Sequence, residues 1–143
     1  MNRFGLSFHH LGLAVAAPQP ASRVLTDLGY SVGEVVRDSE QNVHVSLCAH
    51  PTMPAVEMIW PTETPGPLSS LLKAQTEIAY HLAYLCDGVD EAARRIREAG
   101  HRVVGLVPPR PAVLFGGRKV AFYRVAGLGL IELIEADPIG GTR

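Results

Sequence analysis

The sequence predicts an α+β fold of two βαβββ modules that together form an open, curved, eight-stranded mixed sheet. Three observations predict it. A histidine opens an apolar run twice, at His10 in Phe8-His9-His10-Leu11-Gly12-Leu13-Ala14-Val15 and at His81 in Tyr80-His81-Leu82-Ala83-Tyr84-Leu85-Cys86. A glycine follows each histidine by 19 residues, Gly29 and Gly100, with Ala21/Ala92, Leu25/Ile96 and Leu28/Ala99 between them in the same register. Each copy then ends in an apolar run around an acid, Val56-Glu57-Met58-Ile59 and Ile131-Glu132-Leu133-Ile134. The His-to-Glu separation is 47 residues in the first copy and 51 in the second, so about four residues differ in the intervening hairpins. Repetition on this scale means like units packed together.

Taken in order, residues 8–15 read as a short buried strand. Pro18 and Pro20 end it, and Pro20 suits the first turn of a helix over 20–28, with Val24, Leu25 and Leu28 at helical spacing. Gly29 stops that helix in the way a residue of positive φ does. Tyr30 to Val36 reads as a strand, 37–42 as a polar turn, and Val43-His44-Val45-Ser46-Leu47 as a half-buried strand of period two. After the loop His50 to Pro54, Ala55 to Trp60 is the fourth strand. Module one thus runs over about 8–61, and a linker over about 62–79 includes a short helix from Pro67 to Gln75.

Module two, about 80–136, repeats the order. Tyr80 to Cys86 is a strand, and Asp87 or Asp90 can cap the helix from Val89 to Ala99. That helix sets Val89, Ala92, Ala93 and Ile96 on one face. Arg94, Arg95, Arg97 and Glu98 fall mostly on the other and read as a solvated surface. Arg102 to Val107 is a strand. Pro108-Pro109-Arg110-Pro111 then begins an irregular stretch that cannot be a central strand. Lys119 to Val125 and Leu130 to Glu135 are the last two strands, and 137–143 is a loose tail.

The bulk numbers agree with one ordinary domain spanning 1–143. The chain is 47% hydrophobic and 19% charged, the profile of a globular protein with a real core. A net charge of −1 argues against a nucleic-acid partner. No apolar span is long enough for a transmembrane helix, and no signal peptide is evident, so a cytoplasmic protein is expected. Cys48 and Cys86 lie in apolar strands and read as buried thiols rather than as a disulfide.

The chemistry follows from what repeats. A single histidine on an apolar strand is usually a core histidine. A glutamate in an apolar run is rarer and needs a partner, because burying a lone charge is costly. Here His10, Glu57, His81 and Glu132 recur at matching points of two strand-rich units. Two imidazoles and two carboxylates make a mixed nitrogen and oxygen set suited to one divalent metal ion, with Zn, Ni, Co, Mn and Fe all admissible.

The stretches around these residues, with Gln41-Asn42-Val43 and Gly116-Gly117-Arg118-Lys119-Val120-Ala121-Phe122, resemble the vicinal oxygen chelate superfamily across residues 8–136. Within it the chain is most similar to the glyoxalase and methylmalonyl-CoA epimerase group. The resemblance implies the glyoxalase/bleomycin-resistance-type fold, an open barrel around a divalent metal. It implies His10, Glu57, His81 and Glu132 as the ligands, with His9 only a neighbour. It also implies a homodimer and a small-molecule substrate.

The activity implied is that of an isomerase or lyase working through an enolate on a small carbonyl or acyl-thioester substrate. The metal acts as a Lewis acid, and a carboxylate, Glu132 or Glu57, removes the adjacent proton. Glu57 stands where bacterial epimerases commonly have Gln, and so resembles a glyoxalase more. Val45 stands where epimerases carry a second acid. His44 could substitute as a base, but by alternation it faces away from Val45. Alternatives within the superfamily are a non-catalytic antibiotic-binding protein, a ring-cleaving dioxygenase and a metal-dependent transferase. The intact ligand set argues against the first, and the second glutamate argues against the other two.

Overall fold

The computed structural model describes residues 2–137. It is α+β, with the βαβββ order in both halves. The first module comprises β1 (Ser7–Val15), α1 (Pro18–Asp27), β2 (Val36–Asp38), β3 (Val43–Cys48) and β4 (Ala55–Pro61). A short helix, α2 (Pro67–Leu71), follows. The second module comprises β5 (Glu77–Cys86), α3 (Val89–Glu98), β6 (Val103–Pro111), β7 (Lys119–Val125) and β8 (Gly129–Glu135), with a 3-10 turn at Val113–Phe115. By packing, residues 10–80 form one compact unit, and residues 2–9 join 81–137 in the other.

Both modules use one pairing scheme. In module one the strand order is β2-β3-β4-β1, with β1 parallel to β4 and the hairpin strands antiparallel. In module two it is β5-β8-β7-β6, with β5 parallel to β8. The helix crosses over to make the parallel pair, as a parallel connection requires. Each sheet therefore has a face covered by its own helix. Beneath α1, Leu25 packs with Tyr30, Cys48, Val56 and Met58. Beneath α3, Val89, Ala92, Ala93 and Ile96 pack with Ala121, Tyr123, Ile131 and Leu133. The first residues of the chain close this second core, where Leu6 is buried and Phe4 packs at its edge.

Helix ends follow the repeat. Gly29 and Gly100 both take φ +97°, the left-handed region where a side chain is strained. His50, expected only as a loop residue, closes α1 further. Its Nδ1 accepts the backbone N–H groups of Thr52 (3.0 Å) and Met53 (2.9 Å), which leaves the proton on Nε2 to donate to the Leu28 carbonyl at 3.0 Å. At the start of α3 neither Asp87 nor Asp90 caps. The N-cap is Gly88, and the Val89 N–H donates to the Glu135 carboxylate at 3.3 Å, 46 residues away. Arg94 and Arg95 are bonded to Glu91, and Arg94 also to Glu98, on the exposed face of α3, as a solvated surface should be.

The structure corrects two strand expectations. Tyr30 to Val36 is not a regular strand: β2 begins at Val36, and before it only Ser31 bridges, to Ala49. The cause is a close approach at Gly33, where a Cβ would stand 2.2 Å from the Leu47 carbonyl oxygen. The Gly33 carbonyl accepts a hydrogen bond from Ser46 Oγ at 2.8 Å. A side chain replaces the ladder there. Conversely, β6 extends through Pro111, four residues past its expected end. It is the terminal strand of its module's order, the position where prolines are tolerated. The helix expected from Pro67 to Gln75 stops at Leu71. The tail reading falls outside the described residues, except for Asp137.

Leu133 is fully buried under α3. Leu133→Ala should lower stability by about 2–5 kcal/mol, the range for an uncollapsed core cavity. Urea unfolding of the variant against the parent protein measures it; an unchanged midpoint would show that Leu133 is not in the core.

Candidate metal centre

The expected site residues are placed by strand register. In module one Gly12 pairs with Glu57 across the parallel β1–β4 ladder, and His10 lies two residues before Gly12. In module two Ala83 pairs with Glu132 across β5–β8, and His81 lies two residues before Ala83. Side chains two apart on a strand share a face, so each histidine stands on the face of its own glutamate. The intervening partner is the smallest available, glycine or alanine, and leaves room for both. Leu13 in module one and Tyr84 in module two, on the alternate faces, pack under the helices. The acids therefore lie on the sheet faces opposite α1 and α3.

The two pairs have nearly the same geometry. His10 Nε2 stands 3.6 Å from Glu57 Oε1, and His81 Nε2 stands 3.3 Å from Glu132 Oε1. All four residues are buried, none more than 5% exposed. Both separations exceed the usual 2.7–3.2 Å of an N–H···O hydrogen bond. They suit donors that share an ion. Two donors each about 2.1 Å from one cation stand about 3.0 Å apart at a right angle and about 3.4 Å apart at the tetrahedral angle. Buried imidazole and carboxylate are also the donor types that zinc and its neighbours take. Each module thus offers a histidine and a glutamate that could hold a metal ion.

The residues around each pair are apolar. Leu47 pairs with Glu57, and Val45 pairs with Ile59 on the same face. Phe122 pairs with Glu132, and its ring meets His81 edge-on at 5.3 Å. Phe122 was not singled out from the sequence; the signal for it is its alternation with Ala121 and Tyr123, which belong to the helix side. His44 pairs with Trp60 and stacks near its ring at 5.7 Å, on the α1 side of the sheet. It is thereby separated from Glu57 by the sheet itself, so it does not take the place of the acid missing at Val45.

A family model, the Glyoxalase/Bleomycin resistance protein/Dioxygenase superfamily, matches residues 9–122. The chain belongs to this superfamily. Methylmalonyl-CoA epimerase from Mycobacterium tuberculosis is similar in structure, with a TM-score of 0.74 and 25% identity over 92% of this chain and 89% of that one. A Streptomyces coelicolor methylmalonyl-CoA epimerase variant in complex with 2-nitronate-propionyl-CoA gives a TM-score of 0.70 and 22% identity, covering 90% and 95%. A methylmalonyl-CoA epimerase in complex with methylmalonyl-CoA and NH4+ gives 0.72 and 21%, covering 94% and 96%. No curated protein matches the sequence significantly. Among the described residues, no helix is long and apolar enough to cross a membrane.

The cysteines are buried free thiols, as expected. Cys86 lies under α3, where burial first, then the charges of Glu135 and Asp87, push its thiol up to about 12. A thiol this far above neutral pH has almost no reactive thiolate. Iodoacetamide at pH 8 should leave Cys86 unmodified in the native protein and label it after unfolding in guanidinium, read by mass spectrometry. Rapid native labelling would contradict this placement.

Proposed function

We propose that His10, Glu57, His81 and Glu132 together hold one divalent metal ion, and that the protein is a metal-dependent isomerase or lyase. It acts through an enolate on a small carbonyl or acyl-thioester substrate, in the manner of glyoxalases and methylmalonyl-CoA epimerases. The observation that supports this most is the duplicated buried His–Glu pair, at equivalent register positions of two modules in a chain of this superfamily. A single buried pair could be structural. Two copies with metal-compatible spacing, each walled by apolar residues, point to one shared chemistry. The neighbouring epimerases, one of them bound to methylmalonyl-CoA, support the acyl-thioester side of the reading.

A divalent ion in such a set would supply Lewis acidity at the substrate's carbonyl oxygen. The chain's own groups do the rest. Glu132 Oε accepts the proton from the carbon beside that carbonyl, leaving the enolate, and returns it either to the neighbouring carbon, which moves the carbonyl, or to the other face of the same carbon once the enolate has turned, which inverts it. Its strand is held on both sides, by β5 and β7, so the carboxylate is kept in place. Phe122 and Ile134, both buried, help keep water away from the exchanging proton. Glu57 sits beside Val45 on its face, with no second acid there. That favours chemistry carried by one base over an exchange between two. The reading also carries the expectation of a homodimer, which sedimentation velocity at micromolar concentration would test.

Purified protein should contain about one divalent metal per chain by elemental analysis. His10→Ala and His81→Ala should each lower its affinity by orders of magnitude, since ligand number and geometry set affinity. Full stoichiometry in both variants after dialysis against chelator would overturn the assignment.

The roles of the two acids separate in a second experiment. Gln offers a carbonyl oxygen to a metal but does not accept a proton at neutral pH. Glu132→Gln should keep much of the metal and slow solvent-deuterium uptake at the α carbon by about 10²-fold or more. Glu57→Gln should retain metal and some exchange. The substrates are a panel of hemithioacetals and acyl-CoA esters. The opposite pattern would exchange the roles of the acids, and unchanged rates in both variants would remove them from the proton transfer.

A further inference from the structure

We propose that Arg110 is a substrate-specificity residue, gripping a free carboxylate on the acyl unit; the inference rests on the acyl-thioester reading above. The placement comes from register. β6 begins in step with β7, Val103 opposite Val125 and Gly105 opposite Tyr123, then slips twice. After the slips Val107 stands opposite Phe122 and Arg110 opposite Val120. Phe122 in turn pairs with Glu132, and Val120 with Ile134. Paired residues share a face. Arg110 therefore lies on the face of Glu132 and His81, away from the Ala121, Tyr123 and Leu133 core under α3. Without the slips, simple alternation along β6 would not have set both Val107 and Arg110 on that face.

The distance is suitable. Arg110 is two strands from Glu132 and two residues along, which at about 4.8 Å per strand and 3.4 Å per residue separates the Cα atoms by about 12 Å. Glutamate and arginine both project from that one face and close part of this span. An acyl unit that carries a carboxylate beside the exchanging carbon is of the size to lie between side chains rooted about 12 Å apart on one face. The backbone is stiff at this point. Pro109 and Pro111 flank Arg110, and a residue before proline is held extended. The side chain is half-buried, so its charge is only partly screened. A planar guanidinium presents five donors in a fork that fits a carboxylate with two parallel hydrogen bonds, and can serve a protein partner as well.

Module one lacks the counterpart. Its edge strand β2 sets Val36 opposite Val45, on the face of Glu57. Its arginine, Arg37, pairs instead with His44 on the helix side, where it bonds Glu63 at 3.2 Å. Of the basic side chains at β7, Arg118 donates to the Phe115 carbonyl at 3.1 Å and lies by that ring, Lys119 is exposed at the strand's start, and Arg124, on the Glu132 face opposite Leu130, is exposed where Arg110 is half-buried. The two modules repeat the His–Glu pair but differ in charge at their edges. That difference gives the substrate a direction, with its anionic end toward β6.

The test is binding of methylmalonyl-CoA and propionyl-CoA to the metal-loaded protein by titration calorimetry. The two esters differ by one carboxylate, so contributions of the CoA moiety cancel. The parent protein should prefer methylmalonyl-CoA at least about tenfold, the scale of one charge-assisted hydrogen-bonded contact. Arg110→Gln should remove most of that preference through weaker binding of methylmalonyl-CoA alone. Arg110→Lys should restore part of it, as a point charge without the fork. Thermal unfolding of both variants confirms that they fold, and the Lys variant keeps the charge if Gln proves disruptive. An equal preference in parent and Arg110→Gln, or no preference in the parent, overturns the role of Arg110 and leaves the acyl-thioester reading standing. Failure to bind either ester overturns that reading, and this inference with it.

Discussion

A carboxylate buried in an apolar sheet beside an imidazole is the constraint on which the rest of the structure depends. Glu57 and Glu132 sit within runs of Val, Met, Ile and Leu, each no more than 5% exposed. An isolated charge in such a place is costly enough that the group would sooner give up its ionised form than stay unpaired. A partner must be delivered by the fold, and in each module it comes from the first strand. That strand reaches the fourth only because a helix returns the chain to lie parallel to it. The βαβββ order is thus what brings a histidine and a glutamate some 50 residues apart within 3.3–3.6 Å.

Alternation then decides what surrounds them. Because strand side chains have period two, a slip of one residue would turn His10 or Glu57 into the α1 core and push Leu13 or Met58 to the other side. The register is held by the hydrophobic packing under each helix, where Met58 and Leu133 are almost wholly enclosed. The apolar core and the polar pairs are consequences of one register. A substitution that loosens the packing under α1 or α3 disturbs the pair on the opposite face, even though it touches none of its atoms.

Most of this was legible in the sequence because it repeats. His10 and His81, Glu57 and Glu132, Gly29 and Gly100 are each recoverable from spacing, and the structure gives each matching pair the same local setting. Alternation also placed His44 and Val45 on opposite faces, as the β3–β4 register has them. What could not be read depends on contacts distant in sequence. The carboxylate at the start of α3 belongs to Glu135, while the nearer Asp87 and Asp90 look like the obvious caps. Gly33 interrupts a plausible strand because the Leu47 carbonyl lies against it. The prolines at 108, 109 and 111 suggested the end of a strand, yet an edge strand accommodates them. Leu6 and Phe4 gave no signal of belonging with the second core.

The departures from repetition are as informative as the repeat. If two modules arise as copies, the positions that stay alike are those both copies need, and here they are the His–Glu pair, the small residue between them and the glycine that ends the helix. The edge strands are where the copies differ most in length, three residues in β2 against nine in β6. An edge strand has one hydrogen-bonded neighbour within its module, so bulges and prolines cost it less than they would cost β4 or β8. Variation therefore gathers at β2 and β6, while β4 and β8, each held between two strands of its module, keep the glutamates fixed. The donors that the two modules hold in common lie on β1, β4, β5 and β8, and β2 and β6 are where one module departs furthest from the other.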